Sequence, residues 1–194
     1  MLSGMKHFAL YGLSGARVTD IIQEAGLSHR MLYHYYESKE ALYLATLEFA
    51  YKQIREAELG LHISSLDPVS GMRRIVEFTF DYFVENPEFM ALLSQENLNG
   101  GKFISQLEHF KDVQRPLVDS LEDLFTRGKA SGRYRKVYDP VQFYISLSGL
   151  CYFGISNRFT LAAAFEESIL SESYIADRRG HITEFVMQAV IGST

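Results

Sequence analysis

The chain holds a single cysteine, Cys151, no tryptophan and only four prolines among 194 residues. One thiol excludes an intrachain disulfide and fits a reducing compartment. Charged residues interrupt every hydrophobic stretch before it reaches membrane-spanning length, so no transmembrane helix is expected. The opening residues lack a basic flank followed by a continuous apolar core, so they do not read as a signal peptide. A cytoplasmic protein is therefore expected. Sustained alternation of apolar and polar residues is missing, which leaves no strand signal. Excess positive charge is missing as well: 19 basic against 24 acidic residues give a net charge of −5. That balance argues against a protein that coats DNA, but not against a local reading surface.

Catalytic signatures are equally scarce. No HExxH zinc motif, GxGxxG, GxxxxGK[ST] phosphate loop or GxSxG elbow occurs. His29 and His34 do not share a metal-binding helix face, because they stand five positions apart. The adjacent acidic pairs Glu122-Asp123 and Glu166-Glu167 point to different helix faces and read as solvated surface. No catalytic residue, metal site or cofactor is expected.

What is present is helical periodicity. Residues 2–11 predict a short apolar helix that stops before Gly12; 18–25 and 28–35 predict two more. Ser38 can cap a fourth helix running to about residue 59, with Leu42, Ala45, Phe49 and Lys52 on one face. Residues 60–67 read as a loop. Met72, Ile75, Val76, Thr79, Phe80 and Phe83 form a stripe that Asn86-Pro87 breaks, and Pro87 suits the first position of the next helix. After Asn99-Gly100-Gly101, the residues Phe103, Leu107, Phe110, Leu117, Leu121 and Leu124 predict one long helix, kinked at Pro116. Asp139-Pro140 opens another. Residues 143–153 are apolar nearly all round, which predicts burial on several sides. Ile182, Phe185, Val186, Ala189 and Val190 form the stripe of the last helix.

Residues 16–42 carry the chemistry. Two short helices flank Gly26, where a tight turn needs positive φ. Ile21, Ile22, Ala25, Leu27, Leu32 and Tyr36 would form a small core around them. Ser28 is a natural cap for the second short helix. His29 and Arg30 follow in its first turn, and Lys39 opens the next helix. Cations at helix N-termini oppose the macrodipole by about 0.3–1 kcal/mol each. A stability argument would not place them there, whereas an anion-binding argument would. Arg30 could also read guanine through O6 and N7. Tyr33, His34 and Tyr35 add hydroxyl and imidazole donors for the DNA backbone. The layout is that of a helix-turn-helix reader of the major groove. A solvated, aromatic-rich amphipathic helix is the plainer alternative.

On these residues the segment resembles the DNA-binding domain of the TetR family of repressors. Its run of motifs matches Phe8-Ala9, Gly12, Val18 with Ile21, Ala25-Gly26-Leu27-Ser28, Leu32-Tyr33-His34-Tyr35-Tyr36 and Ser38-Lys39-Glu40-Ala41-Leu42. Residues 86–101 and 132–161 resemble the ligand-binding and dimerisation region of one subgroup of that family. The resemblance implies an all-α fold. It implies a three-helix DNA-binding domain over residues 1–45 and a helical domain for ligand binding and dimerisation over residues 46–194. It implies a homodimer on a palindromic double-stranded operator, with a small-molecule effector that moves the two recognition helices out of register. The expected DNA-facing set is Arg17, Thr19, Ser28, His29, Arg30, Tyr33, His34 and Lys39. Three departures stand out. The family usually carries further, often basic, residues ahead of the first helix, so either the start is misassigned or trimmed, or fewer phosphate contacts are expected here. Ala16-Arg17 replaces a hydroxyl cap, so Arg17 takes the role of phosphate contact. Arg30 stands where the family often has glycine, so an operator cannot be transferred from relatives.

For the effector, Phe78, Tyr82, Phe89, Phe103, Phe110, Phe143, Tyr144 and Tyr152 could line a cavity. Asn97, His109 and Asn157 are polar groups set in apolar helices, with Arg158 nearby. Ordinary core packing accounts for each aromatic residue, and a cap or an inter-helix hydrogen bond for each polar one. Cys151 belongs to the same region and reads as an inert core thiol, since no cation adjoins it in sequence. Residues 143–153 and 182–190, paired with their symmetry mates, would make a four-helix dimer interface. Two other readings stay open. One is an all-α small-molecule carrier or enzyme with no DNA role. The other is a DNA-binding protein without an effector.

Overall fold

The computed structural model describes residues 1–165, 169 and 171–192; the Glu166-Glu167 pair lies outside them. Every regular element among the described residues is helical. They are α1 (Leu2–Gly15), α2 (Val18–Ala25), α3 (His29–Tyr35), α4 (Lys39–Leu59), α5 (Pro68–Glu85), α6 (Pro87–Leu98), α7 (Phe110–Ala130), α8 (Pro140–Ser156), α9 (Arg158–Phe165) and α10 (Glu172–Ile191). Two short 3-10 turns lie at Ile63–Ser65 and Ile104–Gln106. The chain packs as two units, one of residues 1–54 with 86–113 and one of residues 55–85 with 114–194.

In the first unit, α1 lies against α6 and α2. Gly12 breaks α1 with φ 64° and ψ 177°, and the helix then resumes to Gly15. The Tyr43 ring is the centre of the packing. It meets Phe8 edge-on at 5.1 Å and Phe103 at 5.2 Å. Its hydroxyl donates to the buried Glu96 carboxylate at 3.2 Å. Glu96 in turn accepts from the backbone N–H groups of Phe103 and Ile104 at 2.7 and 2.9 Å, so both oxygens of a buried side chain are used to hold the turn after α6.

The small core of α2 and α3 is narrower than expected. Ile21, Ile22 and Leu32 are buried, whereas Ala25 and Leu27 are exposed, because both lie at the turn itself. The buried face of α4 also differs from the expected one. It runs through Leu42, Tyr43, Thr46, Leu47, Ala50 and Ile54, while Lys52 is exposed and pairs with Glu48. The apolar surface of α4 is wide enough that alternative stripes fit the same residues.

In the second unit, α5 packs against both α8 and α10, with Met72, Ile75, Val76, Thr79, Phe80 and Phe83 buried as the stripe predicts. Arg179 of α10 grips Asp81 of α5 through Nε at 2.8 Å and Nη2 at 2.9 Å. The bidentate geometry favours one register between the two helices. Helix α7 starts only at Phe110. Phe103 and Leu107 precede it, around the 3-10 turn, although their spacing continues the α7 stripe. Pro116 lies inside α7. Asp139 caps α8 by accepting from the Gln142 N–H at 2.9 Å, with Pro140 in the first turn.

Helix α8 corrects another expectation. Phe143, Leu147, Cys151 and Ile155 are buried, but Val141, Ile145 and Phe153 are 47%, 57% and 57% exposed. Within one chain it is covered on one side only. On α10 the buried positions are Ile182, Thr183, Val186, Met187 and Val190, while Phe185 and Ala189 face outward. Helix α9 is not anticipated, because Asn157 and the following residues carry no stop-and-start signal stronger than the cap itself.

Candidate functional site

The turn between α2 and α3 forms as its residues dictate. Gly26 adopts φ 66° and ψ 29°, the left-handed cap that glycine takes without steric cost. The Leu27 N–H then reaches the Ile22 carbonyl at 3.0 Å. Ser28 caps α3 by accepting from the Met31 N–H at 3.2 Å. Leu32 is the buried residue of α3. A helix anchored this way presents the rest of its surface to solvent.

That surface carries the expected residues. Arg17, Thr19, Ser28, His29, Arg30, Tyr33 and His34 are all exposed. Arg30 has no hydrogen-bond or ion-pair partner among the described residues. His29 and Tyr33 stack at 6.3 Å with rings 14° apart, as neighbours one turn apart can. Thr19 Oγ1 donates to Asp20 at 3.1 Å. Lys39 is half-buried, and its Nζ donates to the Ser14 carbonyl at 3.3 Å. It therefore ties the end of α1 to the start of α4.

A second tie was not foreseen. Glu24 of α2 accepts from Lys6 Nζ at 2.8 Å and contacts His7 Nε2 at 2.8 Å, both on α1. Hydrogen bonds from Lys6 and then His7 hold the Glu24 carboxyl below its ordinary range. The three residues lie 17 and 18 positions apart, so no local pattern could have shown the contact.

The residues expected to line an effector cavity divide between the two units. Phe89, Asn97, Phe103, His109 and Phe110 belong to the first unit, and Phe78, Tyr82, Tyr144, Cys151 and Asn157 to the second. Phe103 packs on Tyr43; Phe89 and Phe110 pack on Tyr51 at 5.5 and 4.8 Å. Asn97 is exposed and donates to the Leu93 carbonyl at 2.8 Å. Asn157 caps α8 and donates to the Phe153 carbonyl at 3.2 Å. Both amides thus serve their own helices. His109 lies beside Asp112 at 3.4 Å, with its side chain 82% exposed. It borders a cleft of about 220 Å³ together with Tyr51, Leu107, Phe110 and Glu48. Burial pushes the Cys151 thiol up to about 12, so it stays protonated and unreactive.

Phe78 and Tyr82 meet on α5 at 5.5 Å, with their rings tilted by 43°. Tyr144 meets a buried charge. Its hydroxyl accepts from Arg55 Nη2 at 3.2 Å, and the guanidinium carbon lies 5.5 Å from its ring centroid. Arg55 pairs with Glu58, Nη1 to Oε2, at 3.0 Å. Burial pushes the Glu58 carboxyl up to about 7, against the downward pull of Arg55. Sequence reasoning missed this pair. The signal was there in α4: its buried stripe, continued past Ile54, runs into two charged residues. No helix among the described residues is long and apolar enough to cross a membrane.

Residues 3–46 match the model for bacterial regulatory proteins of the tetR family, and residues 68–186 match the tetracyclin repressor-like C-terminal domain. The chain is 30% identical over 188 residues to the HTH-type transcriptional repressor NicS of Pseudomonas putida, covering 97% of this chain and 89% of that one. Among solved structures, the transcriptional regulator SCO4942 of Streptomyces coelicolor aligns with a TM-score of 0.70 at 22% identity, over 99% of this chain and 96% of that one. AibR, solved with isovaleryl coenzyme A and operator DNA, aligns with a TM-score of 0.68 at 16% identity over 99% and 96%. These two likenesses are of fold. With both family models matched in order and a full-length relative, the chain belongs to the TetR family of bacterial transcriptional regulators.

Proposed function

We propose that the chain is a homodimeric, sequence-specific repressor that a small organic molecule releases from an inverted-repeat operator. The observation that carries this reading is the surface of α3. Its apolar residue Leu32 is buried, its cap and turn are closed by Ser28 and Gly26, and Arg30 faces solvent without a partner among the described residues. Nothing in the fold needs a free arginine there. A major groove does, since guanine offers the paired acceptors that a guanidinium fits. Arg17, Thr19, Ser28, His29, Tyr33 and His34 surround it as phosphate and sugar contacts. Lys39 joins them by leaving the Ser14 carbonyl.

Residues 1–45 act as the reading head, and 46–194 hold the effector and the partner subunit. Helix α4 belongs to both, since its start adjoins α3 in sequence and its end carries the buried Arg55–Glu58 pair. Apolar surface left open on α8, α9 and α10 supports the dimer: Ile145, Phe153, Phe159, Phe165 and Phe185 are each more than half exposed. Two readers then address half-sites one or more helical turns apart. The relative NicS is named a repressor, and AibR was solved with an effector and an operator; both fit this reading. Such a regulator acts in the cytoplasm.

The test is selection from a random duplex library with the full chain. Enrichment of an inverted repeat is the expected result. Failure to enrich any sequence would move the function to small-molecule binding without DNA.

A further inference from the structure

Two oppositely charged side chains lie nearly out of water at the end of α4. Arg55 is 4% exposed and Glu58 6%. They are close but badly aligned: Arg55 Nε and Nη1 and both Glu58 carboxylate oxygens lack a hydrogen-bond partner among the described residues. A buried ion pair with open donors and acceptors is expensive to keep, and well-packed apolar residues usually do better. Its position explains what could use it. Arg55 and Glu58 line a small cavity of about 10 Å³ walled by Ile63, Ile75 and Leu117, room for about one water-sized atom. That cavity shares Glu58, Leu59, Ile63 and Ser120 with a cleft of about 390 Å³, bordered further by His62, Asp119 and Asp123. The cleft is within the size range of small-molecule sites.

We infer that Arg55 is the anchor for a carboxylate, and that the effector is a small organic monoacid with an apolar body. The inference rests on the effector-released reading above. The open Nε and Nη1 donors lie on different edges of the guanidinium, since Nη2 between them is held by Tyr144, so one carboxylate oxygen, the size of the small cavity, takes a single charge-assisted hydrogen bond from either. Isoleucine and leucine side chains supply the apolar wall. Glu58 would repel the incoming anion if it kept its charge. Burial already pushes it up to about 7, and a second carboxylate beside it favours protonation further. Protonated, it becomes a donor to the ligand. The other groups around it are Arg55 on its own helix, Tyr82 of α5, close enough for each to feel the other's charge, Tyr144 of α8 against Arg55, and His62, Asp119 and Asp123 on the cleft wall. The two aspartates disfavour a second negative charge on the ligand, hence a monoacid. They also define the rival, an amine drawn to the acidic wall and repelled by Arg55.

The experiment is calorimetry and thermal melting of the full chain with benzoate and hexanoate. Each is compared with its amide, benzamide or hexanamide, and its amine, benzylamine or hexylamine. At least one carboxylate should bind and stabilise while its amide and amine do not. Binding should be several-fold tighter near about pH 6 than near about pH 8, because a proton is taken up with the ligand. Arg55→Met should weaken carboxylate binding by about tenfold or more, the loss of a charge-assisted pair. If that variant fails to fold, Glu58→Gln carries the test: it should bind the carboxylate more tightly near about pH 8 and lose the pH dependence. Stabilisation by the amines instead, by neither carboxylate, or equally in Arg55→Met would overturn the inference. The same samples are assayed for DNA. A chain that selects an inverted repeat but ignores both carboxylates loses this ligand class alone. A chain that selects no DNA loses the regulator reading, and the melts still decide the carboxylate.

Discussion

At the scale of single residues, the free cation and the buried anion make opposite demands on the fold. Arg30 is exposed and unpartnered, so its removal should leave stability unchanged within about 0.5 kcal/mol. Arg30→Ala should instead cost about 1–3 kcal/mol of discrimination at one operator position, if the side chain reads a guanine. Comparing selected sequences from the parent and the variant checks this; an identical preference at every position would remove the base-reading role. Glu58 behaves differently because water is excluded from it. Burial lifts its carboxyl from 4.5 to about 7. Between those values the folded chain holds a proton that the unfolded chain has released, so stability falls as pH rises through the window. Glu58→Gln cannot titrate. Its stability relative to the parent should therefore improve between about pH 5 and about pH 8 in denaturant melts. A constant difference across that range would mean that Glu58 ionises at its ordinary pKa.

At the scale of elements, what could be read in advance was what neighbouring residues settle among themselves. Ser28, Ser38, Gly26 and Asp139 mark helix ends through bonds that span three or four residues: α2 ends at Gly26, and α3, α4 and α8 begin after Ser28, Ser38 and Asp139. The apolar spacing misled where it ran on through a region that backbone geometry had already interrupted. Phe103 and Leu107 continue the α7 stripe, yet Gly100 and Gly101 at φ 70° and 71° lead into a 3-10 turn that Glu96 holds. The turn between α2 and α3 was legible because its chemistry is local. The Arg55–Glu58 pair was not. Arg55 meets Tyr144 across 89 positions, and only the packed fold decides which charges on α4 lose water. Glycines show the same division. At Gly26 a Cβ would meet nothing within 4 Å, so Gly26→Ala should cost only the left-handed backbone, about 1–2 kcal/mol. At Gly128 a Cβ would fall 2.2 Å from the Tyr134 ring, so Gly128→Ala must displace that ring and should cost clearly more. Equal losses in thermal melts would contradict the close approach of Tyr134.

At the scale of the whole molecule, the unresolved demand is apolar surface. Helix α8 buries Leu147 and Cys151 on one side and leaves Ile145 and Phe153 in water on the other; α10 buries Val186 and leaves Phe185 out. Single exposed apolar residues are ordinary, but several large ones on contacting helices mark a surface that needs a cover. In a twofold arrangement the same face meets itself, so one substitution is felt twice. Phe153→Glu places two buried carboxylates against each other in the dimer and none in the monomer. The variant should sediment as a monomer at concentrations where the parent is a dimer, while keeping its helical content, because Phe153 is not part of the core of its own chain. DNA binding gives the second readout. A dimer holds two half-sites with one association, and losing that linkage weakens binding by about 10²–10⁴-fold without touching α3. The preference for bases within a half-site should survive, since Arg30 is unaltered. A variant that stays dimeric would show that the exposed phenylalanines of α8 and α10 lie outside the subunit contact. One that lost half-site preference as well would show that the reading head depends on the partner subunit for its shape.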